Sequence, residues 1–169
     1  MINLTNKGGS MQLEQDKLYI SFHRPKNIVG LLISLRTLGK YSHCELIYND
    51  YVYLSNPGGV RIKPFVYKDN MDIYELDIHI EVPIVLEEFK KLKGKGYDYW
   101  AIFLAQLLEL GIEHKDKYFC SELCLHLINK GLDESLTYNL KTLKASAFSP
   151  SKLYKYLKDM ELIKEKEVL

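Results

Sequence analysis

No part of this 169-residue chain stays apolar for the run of about 18 residues that a membrane-spanning helix needs, so no transmembrane segment is expected. Charge of one sign is not in excess either. Lys and Arg number 23 against 22 Asp and Glu, and without a cationic surplus nothing in the electrostatics calls for a nucleic acid or an anionic membrane as partner. The first residues, "MINLTNKGGSMQLEQDK", lack the apolar stretch of a secretory signal. Cysteine is scarce and odd in number (Cys44, Cys120, Cys124), which excludes a disulfide framework and points to a reduced, cytoplasmic setting. The closely spaced Cys/His pairs of structural zinc are missing, and "NKGGS" lies outside any strand-to-helix unit that would cradle phosphate. No metal and no cofactor is therefore expected.

What is present is the composition of a folded domain: 47% hydrophobic and 27% charged residues. The length suits one domain with a sizeable core. The expected division is a flexible lead-in over 1–16, a single domain over 17–160 and a frayed tail over 161–169. Strands are expected at "KLYISF", "SHCELIYND", "YVYLS", "VRIKPF" and "MDIYELDIHI", about five in all, with a turn at Asn49-Asp50. Imperfect alternation of Met71, Ile73, Leu76 and Ile78 predicts a bulge in the last of them. Helices are expected over "NIVGLLISLRTLG", with Ile28, Leu31, Leu32 and Leu35 as its apolar stripe, and over "VLEEFKKL". Three more follow: "YDYWAIFLAQLLEL", apolar nearly all round and hence buried; "CSELCLHLINKG", closed by Gly131; and "SPSKLYKYLKDM", opened by Ser149 and Pro150. One strand and helix, then several strands, then helices, is the order of an α+β fold with an antiparallel sheet packed on helices.

One residue stands out in this pattern. In "KYFCSEL" a cysteine occupies the first turn of a helix, where the macrodipole and unpaired backbone amides favour a thiolate and can receive an oxyanion. Cys124, one turn further in, shares the stripe of Leu127 and Ile128 and reads as core. A nucleophilic Cys120 needs a base held by a third group. His43 fits best among five histidines: it lies in an expected strand with Glu45 two residues on, so both side chains leave the same face. Cys44 then points the other way, into the core. His126 is six residues beyond Cys120 on its helix, too far around and along to serve. His79 and His114 have no evident orienting neighbour.

Taken together, "LYISFHR", "YSHCELIY", "YVYLSNPGGVRIK", "GYDYWAI", "YFCSEL" and "SPSKLY" resemble the circularly permuted NlpC/P60 cysteine hydrolases, in particular the YiiX/YebB-like branch, which includes many bacteriophage and bacterial members. The resemblance implies a permuted papain-like core, with Cys120 as nucleophile and His43 as base. It leaves the third polar group open between Glu45 and Ser55, the latter in "VYLSN", where other members carry a carboxylate. Tyr97 matches a tyrosine near the nucleophile that helps bind the substrate carbonyl, with aromatic packing beside Trp100 as its alternative role; Ser121 follows the nucleophile in the oxyanion region.

The function expected is hydrolysis of an amide, in a peptide, isopeptide or peptidoglycan-type substrate, through a Cys120 thioester. The alternatives on the same fold are a thiol acyltransferase, a lipid-amide or ester hydrolase, or a binding module that has lost turnover. The partner implied is a peptide or acyl-amide substrate. Cytoplasmic placement, in the host cytoplasm or a virion for a phage-encoded chain, is the matching location.

Overall fold

The computed structural model describes residues 5–6, 9–10, 13–36, 38–76, 79–95, 119–132 and 148–165. The expected buried helix over 97–110, with Tyr97 and Trp100, and also His114, lie outside the described residues. The described chain is α+β. Its main sheet is antiparallel throughout and built from β3 (Tyr19–His23), β4 (His43–Tyr48), β5 (Tyr51–Asn56), β6 (Gly59–Pro64), β7 (Met71–Leu76) and β8 (Ile163–Glu165), in the order β6-β5-β4-β3-β7-β8. A separate two-stranded pairing joins β1 (Thr5–Asn6) to β2 (Gly9–Ser10). The helices are α1 (Ile28–Arg36), α2 (Val82–Leu92), α3 (Cys120–Gly131) and α4 (Pro150–Asp159). No described helix is long and apolar enough to cross a membrane.

Tight turns set the register of the first hairpins. Asn49 and Asp50 both have positive φ, 45° and 63°, the primed geometry whose twist matches that of the flanking strands. Tyr48 therefore faces Tyr51 in the ladder. In the next turn Gly58 takes φ 108°, a conformation that costs a residue without Cβ little.

Both faces of the sheet are buried. Ile20, Phe22, Cys44, Leu46, Val60, Tyr74 and Leu76 pack against Val85 and Phe89 of α2, Leu123, Leu127 and Ile128 of α3, and Leu153 and Leu157 of α4. The opposite face holds Tyr19, Ile47, Val52, Leu54, Met71 and Ile73, covered by Phe65 and by the partly buried Leu13 and Tyr67. This two-sided burial explains why no bulge interrupts the described residues 71–76. Between β3 and β7 the pairing runs unbroken from Tyr19↔Glu75 to His23↔Met71. Met71 and Ile73 serve one apolar layer while Tyr74 and Leu76 serve the other, so regular alternation looks irregular when only hydrophobicity is counted.

Three further expectations are corrected. The main sheet has six strands, not five, because Ile163–Glu165 pairs with β7 over Leu76↔Ile163, Glu75↔Lys164 and Tyr74↔Glu165 and does not fray. Leu162 is buried just before it, and the lysines and glutamates of this stretch hide its strand character. At the other end the lead-in is tied down from Leu13 onward. Glu14 N–H donates to Tyr19 Oη at 3.1 Å and Asp16 N–H to Asn49 Oδ1 at 2.8 Å. Third, α1 does not turn its apolar stripe inward. Ile28 is 77% exposed, and Leu31, Leu32 and Leu35 are exposed with it. The buried face of α1 is that of Gly30, where an added Cβ would stand 3.1 Å from Ser42 Oγ and 3.3 Å from Pro25 Cα. Asn27 Oδ1 caps this helix by accepting from Gly30 N–H at 2.7 Å. Contact through a glycine brings the backbone close and leaves the leucines outside.

Helices α2 and α3 approach closely at Gly131. A Cβ there would come within 2.5 Å of Val85 Cγ2 and 2.9 Å of Ile80 Cγ2, while Gly131 C=O accepts from Glu81 N–H at 2.7 Å. The substitution Gly131→Ala is expected to lower unfolding free energy by about 1–3 kcal/mol through overpacking, read as a lower urea midpoint with an unchanged slope. An unchanged midpoint would show that the two helices part without cost.

Candidate active site

The candidate site is assembled where β3 and β4 run side by side with their ends in register. His23 pairs with His43, Phe22 with Cys44 and Ser21 with Glu45. Residues directly opposite in an antiparallel ladder project from the same face, as do residues two apart on one strand. Ser21, His23, His43 and Glu45 therefore form one polar quartet on a sheet whose other positions are mostly apolar.

Glu45 is buried at the centre of the quartet. Its Oε1 lies 3.2 Å from His23 Nε2 and its Oε2 lies 3.4 Å from His43 Nε2. Ser21 Oγ stands 3.2 Å from His23 Nε2 and donates to the Glu45 backbone carbonyl at 3.4 Å. The two imidazole rings meet edge to face, with centroids 5.2 Å apart. With Nε2 of His43 facing Glu45, Nδ1 is the ring nitrogen not engaged by the carboxylate.

Cys120 reaches the same point from the other side of the strand. It is the first residue of α3, and the His43 side chain and Cys44 are the groups that act on its sulfur. Cys44 leaves β4 on the helix-facing side, in the same buried layer as Cys120 and Cys124. The helix start is held by its neighbours: Ser121 Oγ donates to the Phe148 carbonyl, and Glu122 Oε2 accepts from Phe119 N–H at 3.3 Å. The N-cap is Phe119, which offers no side-chain acceptor to the first-turn amides. Those amides and the dipole behind them face the sulfur's end of the helix.

The charges follow from these contacts. The Cys44 thiol, the charge on His43 and the Cys44 backbone amide all favour a charged sulfur at Cys120. Together they outweigh burial and hold Cys120 well below the ordinary thiol range. Burial works against a charged His43, but the Cys120 thiolate and Glu45 override it and raise the imidazole to about 10. Burial also opposes ionisation of Glu45, yet its two histidine partners push the carboxyl down. His23 goes the other way: burial, and then the positive His43 beside it, lower it despite Glu45. Burial, joined by Cys120 and Cys124, pushes Cys44 up and keeps it a thiol that can donate. The shifts thus favour a thiolate at Cys120, an imidazolium at His43, a carboxylate at Glu45 and a neutral imidazole at His23.

Of the residues singled out in the sequence, Cys120, His43 and Glu45 are brought together. Ser55 is not part of the quartet: it is buried on β5, paired with Val60, and by alternation it shares the helix-facing side with Tyr53. The Ser121 hydroxyl is engaged by Phe148, which leaves its backbone amide as what it offers an oxyanion. Tyr97 lies outside the described residues. His126 pairs with Glu88 of α2 at 2.9 Å, away from the thiol. His23 carries no signal in one dimension beyond standing two residues after Ser21 at the end of a strand. Only the β3–β4 register makes it a neighbour of Glu45. Among the described residues, no group of three or more His, Cys, Asp or Glu is placed to hold a metal ion. No protein-family model and no curated protein matches this chain.

The ion pair has a measurable pH signature. His43 is raised above its unfolded value, so it contributes stability that is complete below about 6.5 and is lost as pH rises through about 10. In Cys120→Ser the anion is gone and the imidazole midpoint should fall from about 10 toward the ordinary histidine range, followed by the ring-proton NMR shifts of His43. A midpoint that stays near 10 in that variant would remove the coupling.

Proposed function

We propose that the chain is a cysteine hydrolase that cleaves an amide bond through a thioester at Cys120, on a permuted papain-like core in which the histidine strand precedes the cysteine helix. The observation that carries this reading is the convergence of Cys120, His43 and Glu45 at a helix N-terminus. Cys120 thiolate attacks the carbonyl carbon, and the resulting oxyanion is received by the first amides of α3. His43, already protonated, gives its proton to the leaving amine as the C–N bond breaks, leaving a thioester and a neutral imidazole. Water then yields its proton to His43 and attacks the thioester, and collapse of the second tetrahedral intermediate expels the thiolate and restores the ion pair. Glu45 holds the ring so that one nitrogen faces sulfur throughout. The side chain of His43 keeps 26% of its surface in contact with solvent while Cys120 keeps 8%, so substrate approaches across the imidazole. A cytoplasmic setting, in which all three free thiols stay reduced, suits this chemistry.

A second reading, hydrolysis or transfer of a fatty acyl group, is favoured by one observation. The segment joining His23 to His43 along the chain carries the exposed Ile28, Leu31, Leu32, Leu35 and Leu38. The acyl-enzyme would be the same, with an amine or alcohol replacing water.

Cys120→Ala should abolish turnover while leaving the far-ultraviolet circular dichroism spectrum unchanged. In the wild type, iodoacetamide should alkylate Cys120 ahead of Cys44 and Cys124, as mapped by mass spectrometry, at a rate that is already near its plateau at neutral pH. Peptide and acyl electrophiles offered side by side then separate the two readings by which adduct forms on Cys120. Residual turnover in Cys120→Ala, or equal labelling of the three thiols, would falsify the enzyme reading.

A further inference from the structure

We infer that His23 is a positioning residue: a neutral imidazole that fixes Glu45 as an ionised, correctly turned carboxylate for His43. The inference rests on the cysteine-hydrolase reading and extends it by one residue in the chain of contacts, from Cys120 through His43 and Glu45 to His23.

The hydrogen-bond directions can be assigned from the geometry. Ser21 Oγ has one proton, and it donates that proton to the Glu45 backbone carbonyl at 3.4 Å. The same oxygen is 3.2 Å from His23 Nε2, so toward the ring it acts as acceptor. Glu45 Oε1, also 3.2 Å from that nitrogen, is an acceptor as well. Two acceptors around one ring nitrogen require it to carry the proton. His23 therefore carries a proton on Nε2, the nitrogen 3.2 Å from both the carboxylate and the serine oxygen.

The charged groups around His23 explain why it stays neutral. Glu45 faces it from β4 and favours a second proton; His43 from β4 and Lys68 from the segment before β7 oppose one, and the ring is buried. Its ladder neighbour on β7 is Met71, which does not titrate. A neutral donor gives Glu45 its second hydrogen bond without competing for the charge that belongs to His43. A buried carboxylate bound by one partner alone would be under-satisfied, and would either take up a proton or swing toward another donor. Either change releases His43 from the orientation in which it faces sulfur.

The test uses the intact chain and needs no substrate. Thiolate content is followed by absorbance near 240 nm, and Cys120 alkylation by iodoacetamide, across pH. In His23→Phe, which keeps the ring and loses the donor, the midpoint for thiolate formation should rise by about one pH unit, with roughly tenfold slower alkylation on the acid flank. His23→Gln, whose amide places a donor near the position of Nε2, should restore most of the wild-type profile. A merely structural role predicts no such rescue. Should His23→Phe fail to fold, nitrogen NMR of the wild-type ring decides: the Nε2–H tautomer must persist to a pH below the ordinary histidine range. A profile unmoved in folded His23→Phe, or a wild-type His23 that titrates normally or carries its proton on Nδ1, overturns the inference. A wild type with no depressed thiol at all overturns instead the hydrolase reading beneath it.

Discussion

The registration of β3 on β4 is the constraint on which the candidate site depends. It sets His23 opposite His43 and Ser21 opposite Glu45, and the two apolar layers hold it there. A slip by one residue would turn the quartet toward the helices and push Phe22, Cys44 and Leu46 out of their layer. Burial on both faces makes such a slip costly in either direction. The quartet is thereby secured by residues outside it: Ile20, Leu46 and Tyr74 on one side, Tyr19, Ile47 and Ile73 on the other.

The second half of the site is delivered by α3, and its delivery depends on packing of another kind. Leu123, Leu127 and Ile128 fix the rotation of the helix against the sheet. Gly131 lets its far end settle between Ile80 and Val85. At the near end, Ser121 ties the first turn to Phe148, directly before the Ser149 cap of α4. The rotation so defined sends Cys120 and Cys124, four positions apart, toward Cys44. A thiol that reads as inert core in the sequence thus stands as a donor toward the Cys120 sulfur. Its own raised pKa is what makes it a donor.

Local features were legible in the sequence and cross-strand ones were not. "HCEL" announced that His43 and Glu45 share a face, because period two needs no partner strand. Ser149-Pro150 announced a helix start, and Ser149 Oγ does accept from Lys152 N–H at 3.2 Å. Asn49-Asp50 announced the hairpin. His23 could not be found in this way, since its meaning comes from a residue 22 positions later that only the ladder brings alongside. The apolar run of α1 misled for a related reason. Periodicity reports which side chains share a helix face, and Gly30, invisible to a hydrophobicity count, decides which face meets the body. Residues 163–165 were masked by their lysine and glutamate, although an edge strand at a sheet boundary commonly carries such residues.

Polar groups as deeply placed as Ser21, His23 and Glu45 need a reason to remain, because a cluster of buried charges gives little net stability over an apolar core of similar shape. Their arrangement limits the cost. The thiolate and the imidazolium cancel in charge, so Glu45 leaves the group with one net negative charge, and His23 adds a hydrogen bond without adding charge to it. The helix N-terminus supplies further positive potential at the sulfur. A second imidazolium in place of neutral His23 would neutralise the cluster but compete with His43 for the carboxylate, weakening the contact between Glu45 and His43. Burial of His23, where protonation is penalised, prevents that competition. The polar quartet is thus arranged less for the stability of the sheet than for keeping one proton on one ring, beside one sulfur.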